Sequence, residues 1–423
     1  MERVRGIFCL FVLMVLAWIF SKNRRKINWY VILWGLIFQI IIAIFIFHSG
    51  NIGIFKFLND AVLKIFSFSK EGIKFVFGPL AISPGEGKSY GFILAFQSLP
   101  TIIFFSSLVS FLYFIRVMPF IVRIFSFIFT KLMRISGAEA LCASSNIFVG
   151  IESALTIRPY LEKMTRSEIC TILTAGMATI ASSVLGVYVS FLYKEFPQIA
   201  GHLISASLMS APSSIIFSKL LLPEEEKPLT YGKIVKEEYK RPSNWIEAII
   251  TGANDGIKLI AGIIAMLIAF LGFVSLLNFL ISKFSLFFFK TDISIQKILS
   301  WLFYPFVYLM GISGENVKTV SVLLGERMIL TELYSYKQLA NLISAGIIKD
   351  ARTIVITTYA LCGFTHIASL AIFVGGISSL VPSRKKDIAS VGFRALFGAT
   401  LACLMTGAIA GIFYSGKTTV LGF

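Results

Sequence analysis

A chain of 423 residues that is 57% hydrophobic and only 14% charged, with a mean hydropathy of +0.84, lies far outside the composition of a soluble globular domain. A formal net charge of +17 would point a soluble chain toward nucleic acid. Here Lys and Arg sit in short connections between apolar spans, where the positive-inside rule puts them, and no nucleic-acid partner is implied.

Arg3 and Arg5 precede the apolar run Gly6–Phe20, which has no small-x-small cleavage site and ends in Lys22, Arg24, Arg25 and Lys26. That pattern reads as a retained first span with a cytoplasmic flank. A second span follows near Asn28–His48, so that residues 1–50 form a two-span N-terminal unit ahead of a core at 51–423. Asn59–Gly78 mixes apolar residues with Asp60, Lys64, Lys70, Glu71 and Lys74, as an amphipathic interfacial helix does. The string Pro84-Gly-Glu-Gly-Lys-Ser89 ends like a phosphate-binding loop. Ile82 stands where the first glycine must be and no strand precedes it, so it is not read as one. Gly91–Val117 is a long apolar run, followed by Arg116, Arg123, Lys131 and Arg134 at polar positions.

Two regions interrupt the series of spans. Asn146–Tyr160 carries Asn146, Gly150, Glu152, Ser153, Arg158 and Pro159, and Gly311–Tyr336 carries Glu315, Asn316, Lys318, Glu326, Arg327 and Glu332. Ionisable groups at membrane depth are costly, so neither region can face lipid as a continuous helix. Re-entrant hairpins at about 136–165 and about 312–345, lining a wet cavity, are expected. A charged loop at 223–244 separates the halves, Ile257–Leu280 is a further span, and the last spans occupy 353–414. Arg384, Lys385 and Lys386 between those last spans belong on the cytoplasmic side, which places both termini outside after an even number of crossings.

The halves share a motif. Gly176-Met-Ala-Thr-Ile-Ala-Ser182 matches Gly363-Phe-Thr-His-Ile-Ala-Ser369 in Gly, Ile, Ala and Ser, each copy following a Glu-bearing polar segment. Polar, interrupted segments recurring in two halves of a membrane chain point to a binding site at their interface. His366 falls inside the second copy and is a functional candidate, whereas His48 and His202 lie near the ends of apolar segments. Cys9, Cys142, Cys170, Cys362 and Cys403 have no metal-ligand spacing and read as small buried hydrophobes. No nucleophile-base set is recognisable, so the chain is not read as an enzyme.

These motifs resemble the concentrative nucleoside transporter family. The resemblance runs from about Ile54 to the C-terminus through Asn146-Ile-Phe-Val-Gly-Ile-Glu-Ser-Ala154 with Arg158-Pro-Tyr160, Ala178-Thr-Ile-Ala-Ser-Ser-Val184, Ala206-Ser-Leu-Met-Ser-Ala-Pro212, Thr331-Glu-Leu333, Tyr359-Ala-Leu-Cys-Gly-Phe364 and Gly375-Gly-Ile-Ser-Ser-Leu-Val-Pro-Ser-Arg384. It implies an all-α polytopic membrane protein with about eight transmembrane helices, two re-entrant hairpins, interfacial helices and an inverted internal repeat, assembled as a homotrimer in the bilayer. It implies a sodium site at Asn146, Val149, Thr179 and Ile180, a set with the oxygen ligands that a hard cation requires. It implies ribose contacts at Glu332, His366 and Ser369 and apolar base contacts at Val184 and Phe364.

Two positions depart from the family pattern. Gly150-Ile151-Glu152-Ser153 stands where the family has Gly-Gln-Thr/Ser-Glu, whose polar side chains read the nucleobase, so the resemblance implies substrate contacts at Gly150, Ile151, Glu152 and Ser153; His366 stands where the family has Asn. Glu152 and His366 are expected to approach each other as an altered substrate shell. The function implied is a cation-coupled symporter of the cell inner (plasma) membrane that imports nucleosides or nucleoside-like solutes. Sodium is the coupling ion, with a proton as the alternative through His366 or Glu152. The rivals are transport of a different polar metabolite and a non-transporting receptor or scaffold on the same fold. For Glu332, the alternative to solute binding is an ion pair with Lys318 or Arg327.

Overall fold

The computed structural model describes residues 1–47, 52–82, 87, 89–235, 241–414 and 416. His48, most of the phosphate-loop look-alike and residues 236–240 of the charged loop lie outside the described residues. The described chain is helical, with no β element beyond a single bridge between Ser136 and Tyr231.

α1 (Glu2–Ile19) and α2 (Trp29–Phe47) form an antiparallel pair of spans, and α3 (Ile52–Phe77) follows. α3 buries Phe66, Ser69 and Ile73 at helical spacing on one face, as a helix lying along a surface must. The apolar run 91–117 is not one helix. α4 (Leu94–Gln97) stops before Pro100, which opens α5 (Thr101–Phe114), because proline at that point cannot donate to the preceding turn. Arg116 adopts left-handed backbone at φ 67° and turns the chain into α6 (Val117–Leu132).

A first helical hairpin consists of α7 (Gly137–Ser145), a non-helical tip, a 3₁₀ turn over Ile151–Ile157 and α8 (Arg158–Leu161). Then come α9 (Arg166–Ala178), α10 (Ser182–Leu192), α11 (Ile199–Leu221), the 45-residue α12 (Trp245–Phe289) and α13 (Ile295–Leu309). A second hairpin pairs α14 (Gly314–Ile329) with α15 (Glu332–Ser344), and α16 (Ala351–Leu361), α17 (Ile367–Leu380) and α18 (Lys385–Phe413) complete the chain. Among the described residues, six stretches are long and apolar enough to cross a membrane, one of them α9 with α10 read as a single broken span. α1, with charges confined to its first turn, and the broken pair α16 and α17 bring the count to the expected eight.

α9, α11 and α18 are buried nearly all round and form the centre. α12 is the opposite case: Ile268, Phe273, Leu276 and Phe279 stand out from the protein, as on a helix that borders hydrocarbon or another subunit.

One end of the molecule is tied together by polar contacts. Asn23 donates to Glu225 at 2.9 Å and, with Lys22 nearby, holds that exposed carboxyl below its usual range. Arg384 donates to the carbonyls of Glu162 and Met164 at 2.7 and 2.8 Å, so both basic clusters lie on the same end. Beneath them, Ser136 with Glu139 and Thr165 with Glu168 form capping boxes at the starts of α7 and α9. Lys219 of α11 reaches between them, 2.7 Å from Glu139 Oε2 and 3.1 Å from Ser167 Oγ, and the Ser136 hydroxyl donates to Glu168. Each buried carboxylate is therefore partnered, and the base of the first hairpin is locked to α9 and α11. The two termini share the opposite end, where the Arg3 side chain donates to the Tyr414 carbonyl.

Candidate functional site

Both copies of the internal motif are places where a helix stops and restarts. At the first break, α9 ends in extended backbone at Thr179 (φ −114°, ψ 169°) and α10 begins after Ala181 (φ −74°, ψ 139°). Such a break frees carbonyls at one helix end and N–H groups at the other. The tip of the first hairpin satisfies part of this, since the Ser182 N–H donates to the Phe148 carbonyl at 2.8 Å. Asn146 and Thr179 are both buried here; Ser153 Oγ donates to Asn146 Oδ1 at 2.8 Å, and Thr179 Oγ1 donates to the Ala175 carbonyl at 2.9 Å. The hairpin tip and the break thus bring neutral oxygen donors together, with the Glu152 carboxylate at the same tip over Gly150. Neutral oxygens of this kind are the donors that a hard cation takes, whereas transition metals favour nitrogen and sulfur.

At the second break, α16 ends at Leu361 and α17 starts after His366, whose backbone is extended (φ −139°, ψ 163°). His366 is the N-cap of α17: its Nδ1 accepts from the Ser369 N–H at 3.1 Å. The hydrogen is therefore on Nε2, which lies 3.0 Å from Glu332 Oε2. Tyr188 of α10 donates to Glu332 Oε1 at 2.9 Å. Glu332 is itself the first residue of α15, so the N-termini of α15 and α17 converge on one buried carboxylate, where the helix dipoles favour negative charge.

Neither of the two cations considered as rivals pairs with Glu332. Lys318 is exposed, and Arg327, fully buried, donates to the Ala360 carbonyl in the last turn of α16, where a cation complements the helix C-terminus.

The breaks meet. A Cβ on Gly363 would lie 2.5 Å from Cys403 Sγ and 2.9 Å from the Ala178 carbonyl, so only glycine permits this approach. The Cys403 thiol of α18 lies 3.6 Å from both the Ala178 and the Cys362 carbonyl, between the two breaks.

A cavity of about 100 Å³ lies against the second break. Gly150, Ile151, Glu152, Val184, Glu332, Phe364, His366 and Ser369 all line it. Ser153 does not; the 3₁₀ turn rotates its hydroxyl toward Asn146. Of the cation-site candidates, none borders this cavity, and Val149 borders the adjoining chamber of about 260 Å³. The two spaces share Gly150, Glu152, Ser183 and Leu259. Glu152 and His366 line one cavity, but the partner of His366 is Glu332; the Glu152 carboxylate lies over Gly150, 3.2 Å from where a Cβ would be.

Sequence reasoning missed Tyr188, four residues after Val184 and hence on the same helix face, and the stripe Leu259, Ile263 and Met266 of α12. That spacing was the available signal.

Comparison with known proteins gives the family. Family profiles match in chain order: the N-terminus of Na+ dependent nucleoside transporters over residues 8–80, a "Gate: Nucleoside recognition" profile over 95–195, and the Na+ dependent nucleoside transporter C-terminus over 202–411. An uncharacterized transporter of Haemophilus influenzae is 34% identical over 98% of both chains. The chain belongs to the concentrative, sodium-dependent nucleoside transporter family. Within that family, solute carrier family 28 member 3 of Homo sapiens is 38% identical over 96% of this chain and 59% of its own. The chain thus spans under two thirds of the length of such animal relatives. Among solved structures, the nucleoside transporter fold recurs in CNTnw in an inward-facing substrate-bound state, with a TM-score of 0.89 at 30% identity over 99% of each chain. A variant of the same protein in an outward-facing state gives a TM-score of 0.87, at 30% identity over 98% of each chain.

Proposed function

We propose that this protein is a secondary active transporter, not an enzyme, that couples inward movement of a cation to uptake of nucleosides or nucleoside-like solutes. The observation that carries the reading is the cavity bordered by the Glu332, His366 and Tyr188 cluster, with apolar walls at Val184 and Phe364, set beside the first break and its neutral oxygens. Glu332, His366 and Ser369 receive the ribose hydroxyls, Val184 and Phe364 pack on the base, and Gly150, Ile151 and Glu152 border its far edge. Ser153 acts through Asn146 rather than on the solute.

Sodium is the coupling ion, held by the side chains of Asn146 and Thr179 and the carbonyls of Val149 and Ile180. Neutral oxygens suit it, while a proton needs a titrating base that the set does not offer. Residues 1–50 serve as a two-span N-terminal unit packed on the transporter core at 51–423. The exposed apolar face of α12 is covered by lipid and by two further copies in a homotrimer of the cell inner or plasma membrane.

Proteoliposomes loaded against a sodium gradient test the reading. Nucleoside accumulation that collapses when the sodium gradient is dissipated supports it. Accumulation driven by a proton gradient alone overturns the sodium assignment, and binding without accumulation supports a receptor or scaffold instead.

A further inference from the structure

This inference rests on the nucleoside reading above and specifies which base the site takes. Three consecutive residues follow Gly150 at the tip of the first hairpin, and the structure gives each a different task. Ile151 is wedged against α17, its Cγ1 2.8 Å from where a Cβ of Gly376 would be. Ser153 is spent on Asn146. Glu152 alone of the three offers a polar group to the cavity, at the junction with the adjoining chamber, and Ser183 borders the same junction.

The opposite end of the cavity is fixed by Glu332, with Tyr188 and His366 as its donors. A nucleoside whose hydroxyls sit there and whose ring packs on Val184 and Phe364 turns the polar edge of its base toward Glu152. An ionised carboxylate only accepts, and its two oxygens match a pair of parallel N–H groups. Guanine presents such a pair, N1–H beside the 2-amino group, with the O6 carbonyl next to them for the Ser183 hydroxyl. Hypoxanthine lacks the second donor. Adenine and cytosine each set a ring nitrogen lone pair beside their amino group, and uracil flanks its single N–H with two carbonyls. For these bases one carboxylate oxygen is left unpaired or faces another acceptor, and a charge that the bound base covers without offering it a donor is expensive.

We propose that Glu152 makes this transporter selective for bases that present two adjacent N–H donors, guanine above all. The test is a competition series on the intact protein in proteoliposomes, with guanosine, inosine, adenosine, cytidine and uridine. Guanosine should compete at least about tenfold better than inosine, the size of one lost charge-assisted hydrogen bond. In Glu152→Gln, whose side chain pairs one acceptor with one donor, that ratio should fall to within about threefold, because an amide no longer matches two donors. Binding of the series followed by a thermal shift of the parent protein gives the same ranking without any variant. Guanosine no better than inosine in the parent, or a ratio unchanged in Glu152→Gln, overturns the proposal while nucleoside uptake still stands. Absence of uptake and binding for every nucleoside in the series overturns the transport reading and this inference together.

Discussion

The two helix breaks start from nearly the same string and the same extended backbone, yet they end in different chemistry. Around Thr179 the break is met by the tip of the first hairpin, which contributes an amide and peptide carbonyls. Around His366 it is met by the start of α15, which contributes a carboxylate at a helix N-terminus. The backbone design is common to both halves, and the element facing each break decides what it can bind. The glycine at the head of each motif shows the same logic: Gly176 admits the ring of Phe373 from the second half, and Gly363 admits the Ala178 carbonyl from the first.

The strongest way to break this comparison is to remove the charge on one side only. Glu332→Gln keeps an acceptor for Tyr188 but lacks the anion, and uptake should fall at least about a hundredfold, the loss of more than one charge-assisted hydrogen bond. Size-exclusion profiles should remain those of the parent. Transport within tenfold of the parent would remove Glu332 from the solute site.

The glycines separate the halves next. Gly363→Ala pushes a methyl into backbone at Ala178, whereas Gly176→Ala meets the edge of the Phe373 ring, a side chain that can rotate away. Overpacking against backbone should cost about 1–3 kcal/mol. Thermal melting in detergent should therefore show a larger loss for Gly363→Ala than for Gly176→Ala, and the reverse order would contradict the geometry.

The first break is probed through its cation. Asn146→Ala should raise the sodium concentration for half-maximal uptake about tenfold, one ligand's worth of about 1.4 kcal/mol, with solute affinity at saturating sodium little changed. The smallest effect is expected for Thr179→Val. Its hydroxyl hydrogen goes to Ala175, which leaves a lone pair for the cation, and a hydroxyl oxygen is a weaker dipole than an amide carbonyl, so the same sodium titration should move about threefold. A larger shift for Thr179→Val than for Asn146→Ala would reverse the ranking of the two side chains.

How much of the fold and the site is legible in the sequence follows from the range of each interaction. The polar interruptions and the repeated string mark the breaks locally, because glycine, polar and ionisable residues in an apolar run are costly unless the helix stops there or lines water. Partners are another matter. The departures from the family pattern suggest His366 beside Glu152; it meets Glu332 instead, because its Nδ1 caps α17 and directs Nε2 across to the start of α15. Ser153 stands among the solute-shell residues in the sequence, and a 3₁₀ turn, which advances the chain faster than an α-helix, swings it to Asn146. Arg327 and Lys219 give no sign in the sequence of being structural ions. One caps a helix 33 residues away and the other joins two capping boxes across some 80, and no periodicity encodes such pairings.

The contact of Gly363 with Ala178, with Cys403 between them, makes the two sites neighbours through main chain rather than through side chains. If the first break holds the cation and the second the solute, as proposed, thermodynamic reciprocity has a short physical path: whatever factor the cation adds to solute affinity, the solute returns to the cation. Because that path consists of peptide groups, residues pointing away from it can be exchanged without cutting it. An amide can give way to His366 at one break while the proposed ion ligands at the other stay as they are. On the transport reading proposed above, a chain built this way can drift from one solute to another and stay coupled, since the peptide contact between the two breaks carries no information about which solute is moved.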